Sequence, residues 1–126
     1  MPDAAAATDI VIAGAARTPM GGFQGDLAAV AAPTLGGVAI RAALAEDGAE
    51  DGAVDELIMG CVLPAGIGQS PARQAGFAAG LPENVPASTL NKVCGSGMKT
   101  VMMAHDLVRA GSAGLVVAGG MESMTH

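Results

Sequence analysis

Short apolar runs alternate with helical stretches along this 126-residue chain, and this alternation constrains the fold more than any other feature. The four predicted strands are short and aliphatic, and they cover residues 10–13, 57–62, 87–90 and 115–118. Apolar side chains at helical spacing predict three helices, over residues 33–46, 71–79 and 98–110. Such alternation predicts right-handed crossovers and an α/β fold, a mainly parallel sheet of buried strands with helices on both faces.

The composition favours a compact domain and argues against nucleic-acid binding. Hydrophobic residues make up 51% of the chain, and they are mostly Ala, Val, Leu and Met, which favours one compact domain. The formal net charge is −6, and the sequence has neither Trp nor Tyr. A nucleic-acid-binding protein would need a basic patch and aromatic stacking surfaces, so we predict no nucleic-acid partner.

The sequence predicts a cytoplasmic protein. No apolar run approaches the roughly 18 residues of a membrane span, so we predict no membrane partner. Residues 1–8 are rich in alanine and are predicted to form a loosely ordered leader, while Asp3 and Asp9 argue against a targeting peptide. Cys61 and Cys94 are too far apart in the sequence for a Cys-x-x-Cys motif, so we predict no metal site.

Cys94 lies on a glycine-flanked turn between the third predicted strand and the third predicted helix. Unpaired N–H groups and the dipole at a helix N-terminus favour a thiolate, and Gly95 and Gly97 let a substrate carbonyl approach the backbone. Ligand sites in parallel sheets also lie beyond the carboxyl ends of the strands. This setting is compatible with two interpretations of Cys94, a nucleophile or a buried structural thiol.

The turn belongs to a longer run, Asn-Lys-Val-Cys-Gly-Ser-Gly-Met-Lys at residues 91–99, that resembles the nucleophile motif of the thiolases, the acyl-coenzyme A C-acyltransferases. Four further segments resemble thiolase segments in thiolase order: residues 16–19, 58–60, 69–74 and 116–124. The resemblance covers nearly the whole chain from about Ile10 onward.

The resemblance implies the first part of the N-terminal half of a five-layer αβαβα fold, so that residues 1–126 would be a partial thiolase N-terminal domain. It implies that Cys94 accepts an acyl group from an acyl-coenzyme A thioester, with its own amide N–H stabilising the oxyanion. Claisen condensation with acetyl-coenzyme A, or the reverse thiolytic cleavage, would follow. The implied enzyme is an acetyl-CoA C-acetyltransferase of fatty acid metabolism, without a cofactor, and a homodimer or homotetramer.

The chain contains one of the four catalytic loops of the family. It lacks the Gly-His-Pro, Asn-Glu-Ala-Phe and Cys-x-Gly motifs, and Cys61 does not match the last of these, so we predict that Cys61 is a core residue. We therefore expect the remainder of the thiolase polypeptide to be a partner of this chain. By themselves, the 126 residues are expected to become acylated at most, without turnover.

Other residues are weaker candidates. His105 is predicted to be a half-buried helix residue that points away from Asp106. Arg73 is most simply a helix-face residue, although the resemblance implies that Gln69 and Arg73 lie near the active site. Met121 and Met124 are core residues or, by resemblance, line the acyl pocket.

Two alternative functions remain open from the sequence. The first is a non-catalytic acyl-coenzyme A-binding or interaction fragment derived from a thiolase. The second is a ketoacyl synthase-like condensing enzyme that acts on carrier-bound substrates. The sequence predicts neither the acyl chain length nor the direction of the reaction.

Overall fold

A computed structural model describes residues 9–125, in which the chain forms three α-helices, a short 3₁₀ helix and one parallel three-stranded sheet. The elements, in chain order, are helix α1 (Ala32–Asp47), the 3₁₀ helix (Asp51–Ala53), strand β1 (Glu56–Gly60), helix α2 (Pro71–Ala78), strand β2 (Ala87–Leu90), helix α3 (Ser96–Arg109) and strand β3 (Val116–Gly120). The strand order is β2-β1-β3, and both pairs are parallel. The α/β prediction is thereby confirmed, whereas the predicted leader at residues 1–8 lies outside the described residues.

The predicted first strand, at residues 10–13, is wrong. These residues belong to no strand of the described sheet, and Val11 and Ile12 are 74% and 78% exposed. Strand β1 is paired on both sides, while β2 and β3 each have one edge without a strand partner among residues 9–125, and residues 10–13 pair with neither. An apolar run indicates that a segment is suited to burial, but it does not determine whether the segment joins a sheet.

Helices cover both faces of the sheet. Leu57 and Met59 belong to the buried core formed with α1 and α2, whose backbones pack closely at glycine and alanine positions. Ile58 and Gly60 project to the opposite face, because successive strand residues alternate between faces. A Cβ atom at Gly60 would lie 2.7 Å from the Cβ atom of Ser96, so α3 covers this second face.

Strand β2 differs from the prediction of a buried strand, because Ser88 and Thr89 are exposed. The strand lies at the edge of the sheet and has a single neighbour, β1. The hydroxyl oxygen of Thr89 nevertheless accepts a hydrogen bond of 3.0 Å from the backbone N–H of Ala72. This bond ties the start of α2 to the sheet edge, because the first N–H groups of a helix have no partner within the helix.

The start of α3 packs directly on the carboxyl ends of β1 and β3. The fully buried hydroxyl of Thr100 lies 2.6 Å from the carbonyl oxygen of Gly97 and 3.0 Å from that of Gly119, so it bridges the first turn of the helix and β3. Beside it, Gly60 leaves space for the backbone at Ser96. The first turn of α3 is therefore fixed against the sheet at the edge where ligand sites of parallel sheets lie.

The outer side of α3 remains apolar and exposed. Met98, Val101 and Met102 on this helix are all exposed, although an amphipathic helix normally buries such side chains. In the part of the chain that is described, no helix has the length and apolar character needed to cross a membrane.

Candidate active site

The sequence-predicted nucleophile lies on a turn between β2 and α3. Helix α3 begins at Ser96 with Gly95 as its N-cap residue, so Cys94 immediately precedes the helix, as predicted. Cys94 is a free, exposed cysteine, and the alternative of a buried structural thiol is therefore wrong. Its thiol is accessible to a substrate at the positive end of the helix dipole.

The backbone of the turn is strained next to the cysteine. Val93 has φ = 48°, in the left-handed region that β-branched residues rarely occupy, at a cost on the order of 1–3 kcal/mol. Backbone hydrogen bonds close the turn: Gly95 donates to the carbonyl oxygen of Lys92 at 3.0 Å, and Ser96 donates to that of Val93 at 3.2 Å. Strain of this kind persists only where surrounding contacts impose the conformation.

Two polar side chains supply such contacts. Asn91 accepts the backbone N–H of Val93 on Oδ1 at 2.9 Å. The hydroxyl of Ser96 accepts the N–H of Lys92 at 2.8 Å and donates to the carbonyl oxygen of Val93 at 2.6 Å. The sequence analysis predicted no role for either residue, although Asn and Ser often form hydrogen bonds with nearby backbone groups.

Glu122, two residues beyond the end of β3, joins the loops at this edge of the sheet. Its carboxylate accepts the backbone N–H of Val62 at 2.8 Å and that of Leu63 at 3.1 Å. The carbonyl oxygen of Val62 in turn accepts Nδ2 of Asn91 at 3.3 Å. Sequence reasoning missed this role as well; the available signal was an acidic residue directly after a strand of a parallel sheet.

Cys61 is a core residue, as predicted. It is 2% exposed, and its thiol lies 3.8 Å from Oε1 of Glu122. Burial, and then the neighbouring Glu122 carboxylate, raise the pKa of the Cys61 thiol, because both disfavour a thiolate. The two cysteines therefore occupy opposite environments, one buried beside a carboxylate and the other exposed at a helix start.

This contrast predicts selective alkylation. Limited iodoacetamide at neutral pH should modify Cys94 in the folded protein and leave Cys61 unmodified, because alkylation requires an accessible thiolate. In denaturant both cysteines should react at similar rates. Peptide mass mapping after short exposures measures the two rates, and modification of Cys61 at the rate of Cys94 in the folded state would contradict the assignment.

His105 and Asp106 differ from their prediction. His105 Nδ1 lies 3.2 Å from Asp106 Oδ1, and both side chains are exposed on α3. Adjacent helix residues leave the axis about 100° apart, but exposed side chains have room to turn toward each other. His105 lies about two and a half turns along α3 from its first residue, so this pair is remote from Cys94.

The residues expected near the active site have structural contacts. Arg73 donates to the carbonyl oxygens of Glu83 and Val85, at 3.0 and 2.7 Å, and its guanidinium lies 5.5 Å from the ring centroid of Phe77. The carbonyl oxygen of Gln69 accepts Nε2 of Gln74 at 2.8 Å. These contacts hold the ends of α2 and the loop that follows it.

A cavity of about 450 Å³ lies beside Glu122, between residues 16–28 and residues 120–125. Met121 and Met124 line it, and a hydrogen bond from the backbone N–H of Gln24 to the Thr125 hydroxyl joins its two sides. Cys94 does not line this cavity. Among residues 9–125, no cluster of three or more His, Cys, Asp or Glu side chains could hold a metal ion.

Comparison with known proteins gives one family. Residues 10–126 match the family described as "Thiolase, N-terminal domain". The chain is 58% identical to the acetyl-CoA acetyltransferase of Cupriavidus necator, over 94% of this chain, and 54% identical to that of Pseudomonas aeruginosa, over 93%. It is 51% identical to acetyl-CoA acetyltransferase 2 of Arabidopsis thaliana, over 94%. The chain spans about 30% of the length of these relatives.

Proposed function

This chain belongs to the thiolase family, and on that premise we propose that it supplies the nucleophile-bearing N-terminal part of an acetyl-CoA C-acetyltransferase. The observation that carries the proposal is the exposed thiol of Cys94 on a strained turn at the start of α3. The relatives are named acetyl-CoA acetyltransferases, and the activity of the whole enzyme depends on the larger polypeptide that this chain matches in part.

In the proposed reaction, the Cys94 thiolate attacks the carbonyl carbon of acetyl-coenzyme A. The carbon–sulfur bond to coenzyme A breaks, the coenzyme A thiolate leaves and is protonated, and an acetyl-enzyme thioester remains. One thioester replaces another, so the protein mainly has to position the thiolate and stabilise the oxyanion. The α-carbanion of a second acetyl-coenzyme A then attacks the acetyl carbon, which releases the Cys94 thiolate and acetoacetyl-coenzyme A.

The amide N–H of Cys94 is the proposed oxyanion donor on this chain. The neighbouring N–H groups of Gly95 and Ser96 already donate to carbonyl oxygens within the turn. A donor held rigidly beside the nucleophile can stabilise the charge that develops on the attacked carbonyl oxygen. The coenzyme A thioester itself carries the acyl group, so the proposed reaction needs no bound cofactor.

The proton transfers need groups from elsewhere in the proposed enzyme. A base must activate Cys94 and another must remove the α-proton, whereas His105 is remote from the thiol and Cys61 is buried. The exposed side chains of Met98, Val101 and Met102 support the presence of further protein over α3. We place the complete enzyme in the cytoplasm as a homodimer or homotetramer.

Trapping the acetyl-enzyme tests the proposal. The full-length polypeptide is mixed with acetyl-coenzyme A, quenched in acid and digested, and its peptides are mapped by mass. We expect one acetyl group on the Cys94 peptide, and we expect free coenzyme A added before the quench to remove it. Nonspecific acetylation of lysine would survive that addition. An unmodified Cys94 in folded protein would overturn the proposal.

The same experiment, repeated with an acetylated acyl carrier protein as the donor, separates the two alternative functions. A ketoacyl synthase-like enzyme would acetylate Cys94 faster from an acyl carrier thioester than from acetyl-coenzyme A. A non-catalytic fragment would bind the coenzyme A thioester without exchanging its acetyl group. The exposed thiol favours acyl transfer over simple binding, because binding needs no nucleophile.

A further inference from the structure

Glu122 holds the loop that follows β1 against the end of β3. Its two carboxylate oxygens accept consecutive backbone N–H groups, those of Val62 at 2.8 Å and Leu63 at 3.1 Å. Hydrogen bonds to a charged acceptor are about twice as strong as those between neutral groups. The Glu122 side chain therefore extends the attachment of this loop to the β3 end beyond the backbone hydrogen bonds from Met121 N–H to the Gly60 carbonyl oxygen and from Cys61 N–H to that of Leu90.

The loop after β1 is also bonded to the strand that leads into the nucleophile turn. The N–H of Val62 donates a hydrogen bond to Glu122, and its carbonyl oxygen accepts one of 3.3 Å from Nδ2 of Asn91. The side-chain oxygen of Asn91, Oδ1, accepts a hydrogen bond of 2.9 Å from the backbone N–H of Val93. An unbroken series of hydrogen bonds thus runs from Glu122 to the strained residue that precedes Cys94.

We infer that Glu122 is a positioning residue for Cys94, acting through Val62 and Asn91 without touching the thiol. The inference rests on the proposed function, since it concerns the acylation of Cys94. Val93 keeps φ = 48° only while its surroundings impose it, and the hydrogen bond from Asn91 to Val62 helps to orient the amide that holds the Val93 N–H. Displacement of the loop after β1 would let the turn relax and move the thiol away from its productive position.

Asp55 provides a control at the amino ends of the same two strands. Its Oδ2 oxygen accepts the backbone N–H groups of Gly114 at 2.7 Å and Leu115 at 3.0 Å, directly before β3. These two bonds lower the pKa of the Asp55 carboxyl, because they stabilise its charged form. Asp55, through one oxygen, and Glu122, through both, each join the β1 and β3 segments by accepting two amides, but only Glu122 lies at the carboxyl ends of these strands, where the Cys94 turn is found.

The test compares Glu122→Gln with Asp55→Asn in the full-length enzyme. A glutamine has one acceptor oxygen, so its NH₂ group would face one of the two backbone N–H groups. We expect the single-turnover rate of Cys94 acetylation by acetyl-coenzyme A to fall between about 10- and 100-fold in Glu122→Gln. Asp55→Asn should lower the thermal midpoint and leave this rate unchanged. Equal rates in the two variants, well below their midpoints, would overturn the inference.

A double-mutant cycle with Asn91→Ala distinguishes a relay from general destabilisation. If Glu122 acts through Asn91, adding Glu122→Gln to Asn91→Ala should slow acetylation little further, whereas independent effects would multiply. Multiplying effects would overturn the inference. Should Glu122→Gln fail to fold, Glu122→Asp keeps the charge on a shorter side chain and should give an intermediate rate; a wild-type rate there would also overturn it. If the wild-type enzyme itself forms no acetyl-enzyme, the proposed function fails instead.

Discussion

Replacing Cys94 with serine in the full-length enzyme is expected to abolish the acetyl-enzyme and to lower turnover by at least about 10⁴-fold. Serine preserves the size of the side chain, so the turn and the start of α3 should remain intact. Its hydroxyl is a poor nucleophile without a strong base, and a position at a helix start does not make an alkoxide available at neutral pH. The rate of acetoacetyl-coenzyme A cleavage and the intact mass after acetyl-coenzyme A treatment measure the two effects.

Cys61→Ser is the control for this substitution, because it also exchanges a thiol for a hydroxyl. Cys61 is buried with its thiol 3.8 Å from Oε1 of Glu122, and serine places a smaller, more polar group at the same position. We expect the Cys61→Ser enzyme to be acetylated at Cys94, with stability as its main change. Acetylation that persists in Cys94→Ser, or that disappears in folded Cys61→Ser, would move the nucleophile away from Cys94.

The helices and most of the sheet could be predicted because their signals are local. Helix α1, predicted over residues 33–46, spans Ala32–Asp47, and α3 begins at Ser96 rather than residue 98. A helix period or an aliphatic run lies within one segment, so neighbouring residues are enough to detect it. The strand expected at residues 10–13 required pairing with the outer edge of β2 or β3, and such pairing depends on contacts between residues that are distant in the sequence.

The candidate site likewise has features that depend on neighbouring residues and features that depend on residues distant in the sequence. The position of Cys94 follows from a strand, a glycine-flanked turn and a helix that are consecutive in sequence. Glu122 and Val62, by contrast, are 60 residues apart, and their contact depends on β3 lying beside β1. The sequence also could not predict the positive φ of Val93, since valine disfavours that conformation and only the hydrogen bonds around it impose it.

Gly60→Ala is expected to have the second large effect, because it places an atom where α3 meets the sheet. The new Cβ would lie 2.7 Å from Cβ of Ser96 and 2.8 Å from its carbonyl carbon, which no side-chain rotation can relieve. Strand β1 is the buried central strand, so the start of α3 has to move instead. We expect a loss of about 1–3 kcal/mol in the free energy of unfolding. Displacement of the Cys94 turn should lower the single-turnover acetylation rate about 100-fold.

Gly52→Ala is the matched control, since a Cβ at Gly52 would meet no atom within 4 Å and the residue has no positive φ. Thermal unfolding and acetylation rates of both variants measure the difference, which should be confined to Gly60→Ala. Comparison with Glu122→Gln then distinguishes two ways of displacing the Cys94 turn. Gly60→Ala would displace it by moving the start of α3, whereas Glu122→Gln would displace it by releasing the segment before Val93. If Gly60→Ala unfolds more readily but acetylates Cys94 at the wild-type rate, the hydrogen bonds around Val93 position the thiol independently of helix packing.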